Sequence, residues 1–87
     1  MNKTEKQYCK YLGEKIRIMR TELQKSLRQF ALECEIPIAT LSRIENGHRE
    51  AGFITMKKLA EGFGMTFPDF VSTVEATLPE KFSIYEE

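Results

Sequence analysis

The chain of 87 residues lacks tryptophan and has one histidine, two cysteines and three prolines. No apolar run approaches the roughly 18–20 residues that a membrane-spanning helix needs, and the polar start of the chain lacks the apolar core of a signal peptide. We therefore expect a cytoplasmic protein in which Cys9 and Cys34 remain free thiols rather than form a disulfide. With a single histidine and no closely spaced cysteine pair, the sequence predicts no metal site.

Other absences exclude classes of function. The sequence has no glycine-rich phosphate loop, and any nucleophile–histidine arrangement would have to use His48, beside the glycine of a predicted helix end. We therefore expect neither an enzyme nor a cofactor. A chain of this length builds one small core, so we expect one domain over residues 1–78 with an acidic tail over residues 79–87, and no sensor domain.

The formal net charge is zero, because thirteen Lys and Arg balance thirteen Asp and Glu. That balance conceals a gradient, since the net charge is +5 over residues 1–30, zero over residues 31–60 and −5 over residues 61–87. Neutrality argues against a polybasic tail protein, but a local basic patch suffices to bind nucleic acid.

Apolar residues at three- and four-residue steps predict five helices and an all-α fold. Thr4 and Gln7 predict a capping box for the first helix, and Ser26 predicts the N-cap of the second. The third helix is expected to carry Pro37 in its first turn and to end at Gly47, where a left-handed residue commonly closes a helix.

The sequence predicts a regular last helix followed by a loosely held tail. Thr66 predicts the start of the fifth helix, and Phe82 and Ile84 alternate with polar residues in a segment that we expect to be loosely held. Cys34 lies on the inward stripe of its helix and is expected to be buried, whereas Cys9 is expected to be exposed.

The second and third helices, joined by a turn of about three residues, have the outline of a helix-turn-helix. Ala31 lies where the two helices must cross closely, and Ile36 is an apolar plug within the turn. Leu41 and Ile44 are expected to face the core. The opposite face of the third helix is then free for a partner, and it carries Ile38, Ala39, Ser42 and Arg43.

This pattern resembles the phage-repressor family of helix-turn-helix domains, also called Cro-like or xenobiotic-response-element domains. The strongest string is LSRIENG over residues 41–47, and LGEKIRIMR over residues 12–20 and LAEGFGM over residues 59–65 accompany it at the family's spacing. The resemblance covers about residues 12–71. It implies a compact, lambda-repressor-like five-helix domain.

The resemblance also implies a DNA-binding site. The helix from Pro37 to Asn46 would enter the major groove of double-stranded DNA. Arg43 is the candidate for a direct guanine contact, the alternatives being a phosphate contact or a solvated side chain. Arg20 and Glu45 match an ion pair that ties the first helix to the third. The implied base- and backbone-contacting residues are Ser26, Leu27, Ile38, Ala39, Thr40, Ser42, Arg43, Asn46, His48 and Arg49.

Five residues depart from the family's usual pattern, and one of them is Pro37, which occupies a place commonly held by a serine or threonine cap. Leu27 replaces a common glutamine, and Glu35 replaces a glycine in the turn, where a left-handed backbone costs a side-chain-bearing residue roughly 1–2 kcal/mol. Ile38 and Ala39 replace residues that are often polar. These two side chains cannot donate a hydrogen bond to a base, but they can pack on thymine methyl groups.

The sequence thus predicts a transcriptional regulator that binds an inverted-repeat operator as a homodimer. The last helix is the candidate dimer interface. The alternative is that its apolar stripe only closes the core of the monomer. The residues of this stripe are Phe67, Phe70, Val71, Val74 and Leu78. The alternative function is a protein-binding adaptor, or an antitoxin-type partner protein, that keeps the fold with weak or lost DNA binding. The tail is then a candidate docking segment for a protein partner.

Overall fold

The computed structural model describes residues 1–85, which form five helices and contain no strand. Their order along the chain is α1 (Lys3–Glu22), α2 (Leu27–Cys34), α3 (Ile38–Glu45), α4 (Phe53–Gly62) and α5 (Phe67–Glu75). The longest helix, α1, packs against α3 and α5, while α2 packs against both α3 and α4. The predicted all-α fold with a helix-turn-helix is confirmed.

Three of the five helices, α1, α2 and α5, begin after a residue whose side chain accepts a hydrogen bond from a free N–H group of the first turn. Ser26 caps α2 as predicted, because its hydroxyl accepts a hydrogen bond from Gln29 N at 3.0 Å. For α1 the predicted Thr4–Gln7 box is wrong, since Asn2 and Glu5 form the capping box two residues earlier. Pro37 is the residue before α3 rather than part of its first turn.

Four helices end with the same pair of backbone hydrogen bonds. In each case one residue takes a left-handed conformation, and its own N–H group and that of the next residue donate to carbonyls of the last helical turn. The residues that take this conformation are Gln24, Glu35, Gly47 and Gly64. Only two of them are glycines, so the sequence signal for a helix end was present at Gly47 and Gly64 alone.

All five helices contribute to one core. Its fully buried large side chains are Ile16 of α1, Phe30 of α2, Leu41 and Ile44 of α3, Leu59 of α4, and Phe70 and Val74 of α5. The ring of Phe63 lies between those of Phe30 and Phe70, with centroid distances of 4.6 and 5.9 Å. Burial of this set stabilises the fold by roughly 1.5–3 kcal/mol for each large apolar side chain.

The segment after α5 folds back onto α1 instead of hanging loosely. The ring of Phe82 lies 6.2 Å from that of Tyr8 and 6.0 Å from that of Tyr11, and the Thr4 hydroxyl donates to the carbonyl of Ile84. The Tyr8 hydroxyl donates to Glu75 at 2.5 Å, and burial together with this hydrogen bond raises the pKa of Tyr8 to about 12. Residues 86–87 of the predicted acidic tail lie outside the described part of the chain.

The prediction that Cys9 is exposed is wrong, because its side chain lies under the returning segment. Cys9 is 5% exposed, and its thiol lies 3.6 Å from the sulfur of Met1. With Ala51, Met56 and Ile84 it lines a cavity of about 270 Å³. Burial raises the pKa of the Cys9 thiol, and the carboxylates of Glu50 and Glu5 act in the same direction.

Candidate nucleic-acid interface

The turn between α2 and α3 fixes how the two helices of the motif meet. Glu35 has φ 57° and ψ 45°, the left-handed conformation that the family's glycine usually supplies. It lets the chain reverse so that Ile36, 5% exposed, plugs the gap beneath the turn, next to Ala31 at 2%. Lys58 on α4 donates to the Glu35 carbonyl at 3.0 Å, which holds the turn from the far side.

The two faces of α3 differ sharply in burial. Leu41 and Ile44 are 0% and 1% exposed and anchor the helix to the core. On the outer face Ala39 and Arg43 are exposed and Ile38 is 38% exposed, while Thr40 and Ser42 are half-buried. None of the ion pairs within the described residues involves Arg43. The helix therefore presents one guanidinium among small and apolar groups.

The predicted backbone-contacting residues flank this face in different settings. Ser26 stands at the start of α2, where the helix dipole and the free N–H groups favour an anion. Leu27 is half-buried and packs against the core, so its side chain is largely committed to the fold. Asn46 donates to the carbonyl of Ser42 at 2.8 Å, and His48 and Arg49 are exposed in the loop that follows α3.

The structure contains the ion pair between Arg20 and Glu45. Arg20 Nε donates to Glu45 Oε2 at 2.7 Å and Nη2 to Oε1 at 3.0 Å, a two-point contact. The Arg20 side chain is 12% exposed and that of Glu45 is 4% exposed. Arg20 Nη1 also donates to the Lys25 carbonyl at 2.8 Å, and the hydrogen bond with Glu45 raises the pKa of Arg20. One side chain thus ties α1 to the end of α3 and to the start of α2.

Two glycines that position α3 were not recognised as site residues from the sequence. A Cβ atom on Gly13 would overlap the carbonyl oxygens of Ile44 and Glu45, so this glycine lets α1 approach the end of α3 closely. A Cβ atom on Gly47 would lie 2.7 Å from the Lys10 Cγ atom. The available signal was a glycine inside the strong helical pattern of α1, which costs about 1 kcal/mol and calls for a packing reason.

The candidate dimer residues have different surroundings, and Leu78 lies in the turn beyond α5, which ends at Glu75. Phe70 and Val74 are 0% and 1% exposed and are held in the core of a single chain, which leaves no surface on them for a second copy. Phe67, Val71 and Leu78 are half-buried. The ring of Phe67 lies 5.0 Å from the ring of Phe53 on α4, and Phe53 is 76% exposed.

Within residues 1–85, no group of three or more His, Cys, Asp or Glu side chains is arranged to hold a metal ion. None of the helices in this part of the chain is both long enough and apolar enough to cross a membrane.

Comparison with known proteins assigns the chain to a helix-turn-helix family. The family model described as helix-turn-helix matches residues 16–70, more than half of the chain. No curated protein matches the sequence significantly. Two similar solved structures are both of the clp gene regulator ClgR from Corynebacterium glutamicum.

The first ClgR structure has a TM-score of 0.72 and 19% sequence identity, and the match covers 85% of this chain and 96% of that one. The second has a TM-score of 0.71 and 20% identity, covering 80% and 74% of the two chains. At this identity the likeness establishes the fold. Together with the match over residues 16–70, it shows that the chain belongs to the phage-repressor (Cro-like, xenobiotic-response-element) helix-turn-helix family of DNA-binding transcription regulators.

Proposed function

We propose that this protein binds a specific operator as a homodimer, with the start and outer face of α3 in the major groove. The observation that carries the proposal is the division of α3 into a face buried in the core and an outer face with Arg43, which joins no ion pair within residues 1–85. The family's DNA-binding function supports it, as does the description of the structurally similar ClgR as a gene regulator.

Arg43 is the residue proposed to read a base. Its guanidinium can donate two hydrogen bonds to the O6 and N7 atoms of guanine, which is worth roughly 1–3 kcal/mol of discrimination against another base. Arginine suits this contact because its planar donors are held in a fixed geometry. Ser42, on the same side of the helix, is available for a weaker contact.

Ile38 and Ala39 are proposed to make apolar contacts with base edges rather than hydrogen bonds. Both lie in the first turn of α3, which is the part that enters deepest in a helix-turn-helix complex. Their apolar side chains fit the C5 methyl group of thymine. The operator is therefore expected to have thymine next to the guanine that Arg43 contacts.

Backbone contacts are assigned to the flanks of the motif. Ser26, at the N-terminus of α2, can present N–H groups to a phosphate, and His48 and Arg49 lie in the exposed loop after α3. These contacts add affinity that depends on salt but not on base sequence.

The homodimer is proposed because one helix of this length reads only a few base pairs. Two copies related by a two-fold axis would read half-sites about 34 Å apart, which is one helical turn of DNA. The accessible apolar surface on the starts of α4 and α5, including Phe53 and Phe67, supports a contact between copies. Val71 on α5 and Leu78 in the turn beyond it are further half-buried apolar residues for this contact.

A protein-binding adaptor is the second candidate, and the exposed apolar Ile38 favours it. An apolar patch on the helix that normally reads DNA also suits contact with a protein side chain. In this alternative α3 buries Ile38 and Ala39 against a partner, and Arg43 lies at the rim of that contact.

The test is selection of duplexes from a random pool, followed by affinity measurements across a range of salt concentrations. We expect a selected inverted repeat with half-sites about one turn apart. Arg43→Ala should relax the preference at one position in each half-site. The matched variant Arg49→Ala should weaken binding to all sequences alike and lower the salt dependence by about one contact per subunit.

Failure to select any sequence, with both variants binding like the unchanged protein, would contradict the operator proposal and favour the adaptor. Selection of a single half-site would contradict the homodimer but leave the role of α3 standing. Circular dichroism of each variant excludes unfolding as the cause of lost binding.

A further inference from the structure

Basic side chains follow one edge of α1. With 3.6 residues per helical turn, Lys3, Lys6, Lys10 and Arg17 fall within about 60° of each other around the helix axis. We call the last three of these residues, Lys6, Lys10 and Arg17, the α1 basic stripe. Tyr8 and Tyr11, which contact Phe82, lie on a different side of the helix.

The stripe reaches the end of α3. Gly47, which ends the motif, lies against the backbone of Lys10, since a Cβ atom there would be 3.0 Å from Lys10 Cα. A groove continues the contact and is lined by Lys10, Glu14, Arg17, Glu45 and Asn46. A second groove continues towards the chain start and is lined by Lys3, Lys6, Gln7 and Lys10. The basic surface is therefore continuous with the surface that follows the recognition helix.

The cations of the stripe have no carboxylate partner among the described residues. The ion pairs in this part of the chain use Arg20, Lys25 and Lys57 instead, with Glu45, Glu33 and Glu61 as their partners. Glu45 is neutralised by Arg20, so Glu14 is the remaining acidic residue in the two grooves. An uncompensated row of positive charge attracts a polyanion, most strongly at low ionic strength.

We propose that the α1 basic stripe binds phosphates of the DNA backbone beyond each half-site. This inference rests on the proposed function, because the DNA that α3 binds is the polyanion next to the stripe. From Lys6 to Arg17 the helix rises about 16 Å, the length of roughly five base pairs. Lys6 and Lys10 precede the segment matched by the family, so they add a contact outside the matched motif.

The experiment compares Lys6→Gln/Lys10→Gln with two matched double variants. Lys6→Arg/Lys10→Arg keeps the charge, and Lys57→Gln/Lys81→Gln removes two charges elsewhere. Glutamine keeps most of the aliphatic stem that lies against Gly47, and circular dichroism confirms folding. Each protein is titrated at several salt concentrations with the selected duplex, once with flanks of ten base pairs and once trimmed to the half-sites.

With the flanked duplex, we expect Lys6→Gln/Lys10→Gln to reduce the steepness of log affinity against log salt by about two per subunit. Each phosphate contact contributes about 0.9 to that steepness. Base preference should not change, and the loss should disappear on the trimmed duplex. The arginine variant and the Lys57/Lys81 variant should behave like the unchanged protein.

The inference is overturned if the slope is unchanged in Lys6→Gln/Lys10→Gln, or if the Lys57/Lys81 variant loses as much. Selection of an operator by the same protein then leaves the proposed function intact. In another outcome the protein selects no sequence, but its salt slope on flanked duplex of random sequence still becomes shallower when Lys6 and Lys10 are changed. That result keeps the inference and refutes the operator. Absence of any duplex binding overturns both.

Discussion

Glu45 carries a carboxylate that is almost completely removed from water, at the end of the helix proposed to lie in the groove. Its two hydrogen bonds with Arg20 compensate the cost of burying that charge. The pairing also removes a negative charge from the side of α3 where a phosphate is expected. The sequence suggested this pair only through the family resemblance, because residues 25 apart give no local signal.

Replacing Glu45 by Gln leaves the Arg20 guanidinium, whose side chain is mostly buried, without its counter-charge. We expect the free energy of unfolding to fall by about 2–4 kcal/mol, somewhat less than for a fully buried pair because Arg20 retains some contact with water. Urea denaturation at neutral pH measures the change. A loss no larger than that of the control below would mean that the pair does not hold α1 and α3 together.

The control is Glu33→Gln, which breaks the exposed pair between Lys25 and Glu33, with Nζ to Oε1 at 2.6 Å. An exposed pair contributes little, so the effect should be much smaller than that of Glu45→Gln. The hydrogen bond from Lys25 lowers the pKa of Glu33. The stabilisation is therefore present at neutral pH and is lost as the pH falls through that lowered pKa.

At the scale of helices, the sequence predicted the elements well and their contacts only partly. Periodic apolar residues define a helix wherever it lies, so all five helices and the buried faces of α2 and α3 followed from spacing. The stripe of α5 could not be divided in the same way, because the spacing does not say which neighbour covers each side chain. Phe70 and Val74 belong to the core, whereas the ring of Phe67 meets that of Phe53.

The turn between α2 and α3 stores strain that glycine would relieve. Glu35 has a left-handed backbone, which costs a residue with a Cβ roughly 1–2 kcal/mol. Replacement by glycine removes that cost, but the larger freedom of glycine in the unfolded chain offsets about 0.4–1 kcal/mol of the gain in stability. We expect Glu35→Gly to raise the free energy of unfolding by about 0.5–1 kcal/mol, measured by thermal and urea denaturation.

Glu35→Ala is the matched control, since it removes the same carboxylate but keeps the Cβ. It should be no more stable than the unchanged protein. If the two variants have equal stability, the left-handed turn is not strained and the departure from the family's glycine has no energetic cost.

For the molecule as a whole, the neutral composition separates into two surfaces. The acidic residue Glu75 and the segment around Phe82 pack on the side of α1 that carries Tyr8. Lys6 and Lys10 line one groove on another side of α1, and Lys10 lies against Gly47 at the start of the loop after α3. The charge gradient was visible in the sequence, but its direction relative to α3 depends on how the long α1 crosses that helix. The return of the last segment over Cys9 was also invisible, because it depends on contacts more than 60 residues apart.

In the proposed complex, Arg43 and the start of α3 lie in the major groove of two half-sites. Protection of guanine N7 from methylation by dimethyl sulfate, measured on the selected duplex, tests this placement directly because N7 faces that groove. We predict protected guanines in two clusters about one helical turn apart, with one guanine in each cluster losing protection in Arg43→Ala. Binding that leaves every guanine N7 in the duplex fully reactive would show that α3 does not lie in the major groove.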